Sequence, residues 1–314
     1  MGGCGPQDHA ARLSGGDIKH EPVGIGGPVI TLFTGVLVWL AAATLGASPA
    51  MAAGRAGRGP ATIEQDVHSD YSHIRIKRQG NLRSMIFVRD SGEEAVETVL
   101  NLKKPYELVT PYCRAMFASY LLRPKQQQVL IVGLGGGAMI HFYQHYDPEV
   151  KVDAVEIDPK VVELADRYFE TRAGGNTRII TDDAFHYFET NATRYDVIYL
   201  DAFLKPSAKT DQTGVPLRLK TIEFYKGLRE KLVPGGIVVI NFNVHPGVNA
   251  DIETVRGTMA QLYVFNALGV NNIVVCVPAG PRQTAAVLRD RARELDRRFK
   301  ATFSFQEILN GMGR

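Results

Sequence analysis

Between Gln128 and Val277 the chain alternates short, almost uninterrupted apolar runs with longer stretches of helical periodicity. The runs are QVLIV (Gln128–Val132), VDAVEI (Val152–Ile157), RIIT (Arg178–Thr181), YDVIYL (Tyr195–Leu200), IVVINF (Ile237–Phe242) and NIVVCV (Asn272–Val277). They are strand-sized and too short for buried helices. A strand that is apolar on both faces needs cover on both, so the pattern predicts a mostly parallel sheet between two helical layers. Helices are expected at Ala138–Tyr146, Pro159–Glu170, Leu217–Leu232 (closed by Pro234-Gly235-Gly236), Asn249–Leu268 and Thr284–Phe299, with a last strand at Ala301–Ile308. The result is a doubly wound, Rossmann-like α/β fold, whose ligand sits beyond the carboxyl ends of the strands.

Upstream, Tyr71–Lys77 and Leu82–Arg89 flank the turn residues Gln79-Gly80-Asn81, and a third strand is expected around Ala95–Leu102. Tyr106–Leu122 carries apolar residues at helical spacing. Residues 62–122 therefore read as a small β-rich domain with a connecting helix, and 123–314 as the α/β domain. The small domain is either a packing cap or a substrate wall. Residues 1–61 hold an uncharged stretch from Pro22 to Gly54, with VITLFTGVLVWLAAATLGA (Val29–Ala47) at its centre. That run is about the ~20 residues a membrane span needs. A secretory signal cut near Ala50-Met51-Ala52 competes with it. Arg12 and Lys19 lie before the run and Arg55 and Arg58 after it, so charge does not set an orientation.

With 36 Lys and Arg against 33 Asp and Glu, the chain lacks the basic excess of a dedicated nucleic-acid binder. Its 3 cysteines, Cys4, Cys113 and Cys276, have neither a zinc spacing nor a disulfide framework. Cys113 and Cys276 read as small buried thiols.

The chemistry gathers where strands end. Gly133-x-Gly135-x-x-Ala138 follows the first strand, and Gly137 completes a turn through which backbone can approach a ligand closely. Glu156 closes the second strand, where an acid accepts hydrogen bonds from both ribose hydroxyls of NAD or of S-adenosylmethionine. Asp182-Asp183-Ala184 follow the third strand. One acid there suits an adenine amino group and the other the N-cap of the next helix, one role per Asp. Asp201 ends the fourth strand and faces the pocket.

VLIVGLGGG, VDAVEIDPKVVELADRYF, RIITDDAFHYF, YDVIYLDAF and EFYKGLREKLVPGGIVVIN together resemble the spermidine synthase family of aminopropyltransferases, relatives of the class I methyltransferases. The resemblance runs from about Tyr71 to Val277 and displaces NAD in favour of S-adenosylmethionine (AdoMet) or its decarboxylated form, with no metal. It implies that Glu156 binds the ribose, Asp183 and Ala184 bind the adenine, and Asp201 is the base that deprotonates an attacking amine. It also implies polyamine synthesis, a small-molecule amine acceptor and a homodimer. Two positions depart from the family pattern. Gly136 stands where the family's G-G-G-D-G-G loop has its Asp, and Leu204 stands at the second Asp of the D-S-S-D gate. Methyl transfer is therefore the alternative to aminopropyl transfer, and a catalytically silent nucleoside-binding protein is a third reading. Asp211, in the polar loop Lys205–Pro216, is a candidate replacement acid. Because the donor is a cytoplasmic metabolite, the catalytic domain is expected to face the cytoplasm, anchored through Val29–Ala47. Export after cleavage near Ala52 is the alternative.

Overall fold

The apolar runs pair into one seven-stranded sheet of order β10-β11-β9-β8-β5-β6-β7. Its strands are β5 (Gln128–Val132), β6 (Lys151–Glu156), β7 (Thr177–Thr181), β8 (Tyr195–Leu200), β9 (Leu232–Asn243), β10 (Tyr263–Asn266) and β11 (Asn272–Pro278). Pairing is parallel from β7 through β9, and β11 runs antiparallel to both its neighbours. The computed structural model describes residues 59–313, except 260, 268, 270 and 271, together with the first two residues. Val29–Ala47 and the cleavage-like Ala50-Met51-Ala52 lie outside the described residues. Among the described residues no helix is long and apolar enough to cross a membrane.

Strand alternation shows why the runs are continuously apolar. Val129, Ile131, Val197 and Tyr199 enter one core, whereas Leu130, Val132, Ile198 and Leu200 enter the other. The first core is covered by α1 (Pro111–Met116), α2 (Ser119–Leu122), α3 (Ala138–Tyr146), α4 (Pro159–Phe169), α8 (Ala285–Phe299) and α9 (Phe305–Asn310). The second lies under α5 (Ala184–Thr190), α6 (Ile222–Glu230) and α7 (Val248–Thr258). Polar strand residues facing inward are paired. Asp153 accepts Arg178 (2.6 and 2.7 Å) and the Tyr195 hydroxyl (2.9 Å), and Tyr199, Tyr143 and Ser119 share hydroxyl bonds of 2.7–2.8 Å.

The upstream segment forms a four-stranded antiparallel sheet of β1 (Thr62–His68), β2 (His73–Gln79), β3 (Leu82–Val88) and β4 (Glu94–Asn101). Gly80, at φ 60°, opens the two-residue β2–β3 turn. Ser69 Oγ donates to the Asp158 carboxylate (2.5 Å), and Arg83 donates to the Tyr168 carbonyl (2.5 Å). These bonds tie the small sheet to α4.

Several boundaries differ from the sequence reading. β1 is absent from that reading, because its TIEQDVH sequence is polar and its edge position leaves it largely exposed. The helix expected over Tyr106–Leu122 is confined to α1 and α2 and breaks between Met116 and Ser119. Thr221 caps α6 by accepting from Phe224 N, which separates that helix from a 3₁₀ turn at Leu217–Lys220. Pro234-Gly235-Gly236 lies within β9 where its register on β8 shifts, so the strand starts earlier than expected. α7 ends at Thr258, and the tail of the expected helix contains β10. Ala301–Ile308 is not a strand. Ser304 accepts from Gln306 N (3.1 Å) and starts α9, which buries Phe305 and Ile308 at helical spacing.

Candidate active site

A cavity of about 980 Å³ opens at the carboxyl ends of β5, β6, β7 and β8, with residues of β3, β4 and α1 forming its opposite wall. Gly133, Gly135, Gly137, Glu156, Asp182, Asp183, Ala184 and Asp201 all line it. Its volume suits a nucleoside with a short side chain.

The glycine loop brings two strand ends into contact. Asp201 N donates to Val132 O at 2.9 Å, and a Cβ on Gly133 would stand 2.2 Å from the Asp201 carbonyl oxygen. Gly133 also sits at φ 94°, so a side chain there meets both a clash and a strained backbone. Gly136 lacks that backbone demand, yet its Cβ position lies 2.8 Å from Phe169 and 2.9 Å from Thr98. Gly136 N donates to Thr98 Oγ1 (2.8 Å), and Thr171 Oγ1 donates to Gly136 O (2.7 Å). The loop is thus clamped between β4 and the segment after α4, and the side chains of Thr98 on β4 and Phe169 at the end of α4 fill the space a loop carboxylate would need.

Glu156 is buried at the end of β6. One carboxylate oxygen accepts Leu134 N and the other accepts Asp158 N, both at 2.9 Å. Burial pushes its carboxyl upward while these amides oppose the shift. Each oxygen keeps a further lone-pair site, enough for one hydroxyl apiece. Asp183 caps α5 by accepting Phe185 N at 2.8 Å. Its other oxygen lies 3.8 Å from Arg218, whose guanidinium stacks 3.8 Å over the Phe185 ring. Asp182 accepts Asp183 N (2.9 Å) and pairs with His186 (2.8 Å). Of the two roles expected there, one per Asp, the structure places the cap, and both acids line the cavity. The cap is Asp183, and Asp182 holds the exposed His186.

Asp201 points its carboxylate to Asn241 on β9, whose Nδ2 donates at 2.7 Å. Burial pushes this carboxyl up to about 6, against the Asn241 bond. Beside it stand Glu97 on β4, which no sequence pattern singles out, and Tyr112 on α1, which periodicity marks only as an apolar position of the helix expected over Tyr106–Leu122. Burial and the neighbouring Asp201 and Glu156 carboxylates push Glu97 up to about 8, with Arg89 partly opposing. No sequence signal marked Glu97, because its strand reads as ordinary edge sheet.

Leu204 and the loop after it also line the cavity. Leu204 N donates to Gly214 O at 2.9 Å, and Lys205 pairs with Asp90 at 2.6 Å. Asp211 does not replace a missing cavity acid. Its carboxylate accepts Lys220 (2.7 Å), Thr213 N (2.8 Å) and Val215 N (3.0 Å), and it is not among the cavity residues. Lys220 also pairs with Asp251, which in turn holds His245.

Residues 115–288, more than half of the chain, match the model of the spermine/spermidine synthase domain. The chain belongs to the spermine/spermidine synthase family. It is 31% identical over 211 residues to a polyamine aminopropyltransferase of Vibrio vulnificus, covering 66% of this chain and 68% of that protein. Among solved structures it is similar to a spermidine synthase in complex with the transition-state analogue AdoDATO, with TM-score 0.61 and 17% identity over 80% of this chain and 85% of that one. It is also similar to human methyltransferase-like protein 13 in complex with SAH, with TM-score 0.56 and 23% identity over 62% and 94% of the two chains. These two likenesses concern the fold. As a member of the spermine/spermidine synthase family the chain is a transferase.

Proposed function

We propose that the chain transfers an aminopropyl group from decarboxylated AdoMet to a small amine, a step of polyamine synthesis. The observation that carries this is the arrangement of Glu156 and Asp201 in one cavity of a spermine/spermidine synthase fold, at the carboxyl ends of β6 and β8. Glu156 offers one acceptor site per oxygen to the ribose hydroxyls. Asp183 and Ala184, which line the same cavity, are the residues that would take the adenine. Asp201, with its carboxyl near 6, is ionised at neutral pH yet basic enough to take a proton.

The reaction follows from these positions. An acceptor amine gives its proton to the Asp201 carboxylate, and its nitrogen attacks the aminopropyl carbon next to the sulfonium. A C–N bond forms, the C–S bond breaks, and its electron pair returns to sulfur, leaving the neutral thioether 5′-methylthioadenosine. The sulfonium supplies the leaving group, and the chain contributes position and a base.

Methyl transfer is a second reading, supported by one observation. The place of a loop carboxylate is filled by Thr98 and Phe169 around Gly136, and the gate carries Leu204, so neither position repels the carboxylate of AdoMet. Incubation with an amine and each donor, followed by mass spectrometry, separates the two. Aminopropyl transfer yields methylthioadenosine from decarboxylated AdoMet, whereas methyl transfer yields S-adenosylhomocysteine from AdoMet. Absence of the first product with a range of diamines overturns the main reading.

A further inference from the structure

Among the described residues no cation is hydrogen-bonded to the Asp201, Glu156 or Glu97 carboxylates; of the cations that line the cavity, Lys205 pairs with Asp90 at 2.6 Å and Arg218 lies 3.8 Å from Asp183. Asp201 is bonded by the neutral Asn241, and Glu156 by backbone amides. Glu97 has no hydrogen bond to its carboxylate among the described residues; its backbone carbonyl accepts the Tyr112 hydroxyl at 2.8 Å. Arg89, which acts on it from a distance, is itself bonded to Glu93 at 3.1 Å.

Glu97 reaches this position through an irregularity in the small sheet. Thr98 pairs with Met85 and Val96 with Ile86, so Glu97 is the extra residue of a β-bulge. The bulge inverts the alternation of β4. Leu100 and Thr98 are buried, but Val96, which would follow them inward, is 41% exposed. A bulge re-aims a side chain, and here Glu97 lines the cavity. Its neighbour Thr98 is the residue bonded to Gly136 N, so the bulge is pinned to the glycine loop.

We infer that Glu97 is the specificity-determining carboxylate that binds the primary ammonium of a cationic substrate, in place of the acids absent at Gly136 and Leu204. The inference rests on the aminopropyl-transfer reading. The ammonium belongs either to the aminopropyl end of the donor or to the acceptor amine. A cation there also relieves the repulsion among Glu97, Asp201 and Glu156. The ionisable groups facing Glu97 are Asp201 after β8, Glu156 on β6, Arg89 after β3 and Tyr112 on α1. With its carboxyl near 8, Glu97 is mainly protonated at pH 7 when the cavity is empty. An arriving ammonium favours the ionised form, so binding releases a proton.

The test compares the full chain with its Glu97→Gln variant, which keeps shape and loses the charge. Three ligands are titrated calorimetrically in two buffers of different ionisation enthalpy: decarboxylated AdoMet, 1,4-diaminobutane in the presence of methylthioadenosine, and methylthioadenosine alone. The variant is expected to lose at least tenfold in affinity, about 1.4 kcal/mol, for the first ligand if the donor ammonium is bound, or for the second if the acceptor's is. Proton release with that ligand is expected to vanish. Methylthioadenosine, which has no ammonium, is expected to bind both proteins within twofold. Losses below tenfold for both cations overturn the inference, as does an equal loss for methylthioadenosine, which would mark a structural role. Failure of wild type to bind methylthioadenosine overturns the nucleoside reading itself, and the inference with it.

Discussion

Replacing Asp201 by Asn tests both the catalytic assignment and the electrostatics beneath it. The introduced amide keeps an oxygen to accept from Asn241 Nδ2, which donates to the wild-type carboxylate at 2.7 Å, so the local packing is preserved. It cannot take a proton, and loss of a general base lowers kcat by about 10²–10⁴-fold. Stability should respond in the opposite direction. The folded carboxyl titrates near 6 against an ordinary 3.8. That difference amounts to about 3 kcal/mol, a ceiling because the carboxylate also meets the cavity. The raised value means the protonated form suits the folded state. The contribution is therefore fully present below the unfolded pKa and is lost as pH rises through the folded one. About half of it, roughly 1.5 kcal/mol, disappears between pH 5 and pH 8. The amide has no such loss, so the variant should gain on wild type by up to this amount over that interval. Thermal melts at the two pH values read the stability, and methylthioadenosine release reads kcat. In wild type kcat/KM should climb with pH through about 6, and this limb should vanish in the variant. A kcat loss under tenfold would remove Asp201 as the base. A stability difference independent of pH would refute the burial argument.

Glu156→Gln should weaken methylthioadenosine binding at least tenfold, because a hydrogen bond to a charged group is worth about 1.5–3 kcal/mol. Unchanged affinity in a folded variant removes the ribose assignment. Gly136→Asp should destabilise the fold by about 1–3 kcal/mol through overpacking against Phe169 and Thr98. A melting temperature equal to wild type would show that this space is open after all. For the whole chain we propose that the catalytic part faces the cytoplasm and that Val29–Ala47 anchors it. A C-terminal phosphatase fusion active in the periplasm, with a mature start near Ala53, would reverse that orientation.

The sequence determined the α/β layering, because strands such as QVLIV and YDVIYL must bury both faces, and alternation sends their residues into two separate cores. It also placed Gly133, Glu156, Asp183 and Asp201 at strand ends, since the sheet's parallel order carries successive carboxyl ends to one edge. Local pattern failed where tertiary contacts chose the element. ATFSFQEI alternates like a strand, but the Ser304 cap and the burial of Phe305 and Ile308 make it a helix start. β1 lacks an apolar face because it is an exposed edge. Gly136 reads from sequence as a missing acid. Only the fold shows that Thr98, 38 residues earlier, occupies the space that acid would need. Glu97 was invisible for the same reason. A single extra residue in the β3–β4 pairing turns a strand's side chains over, and register is a property of two strands, which neither segment encodes alone.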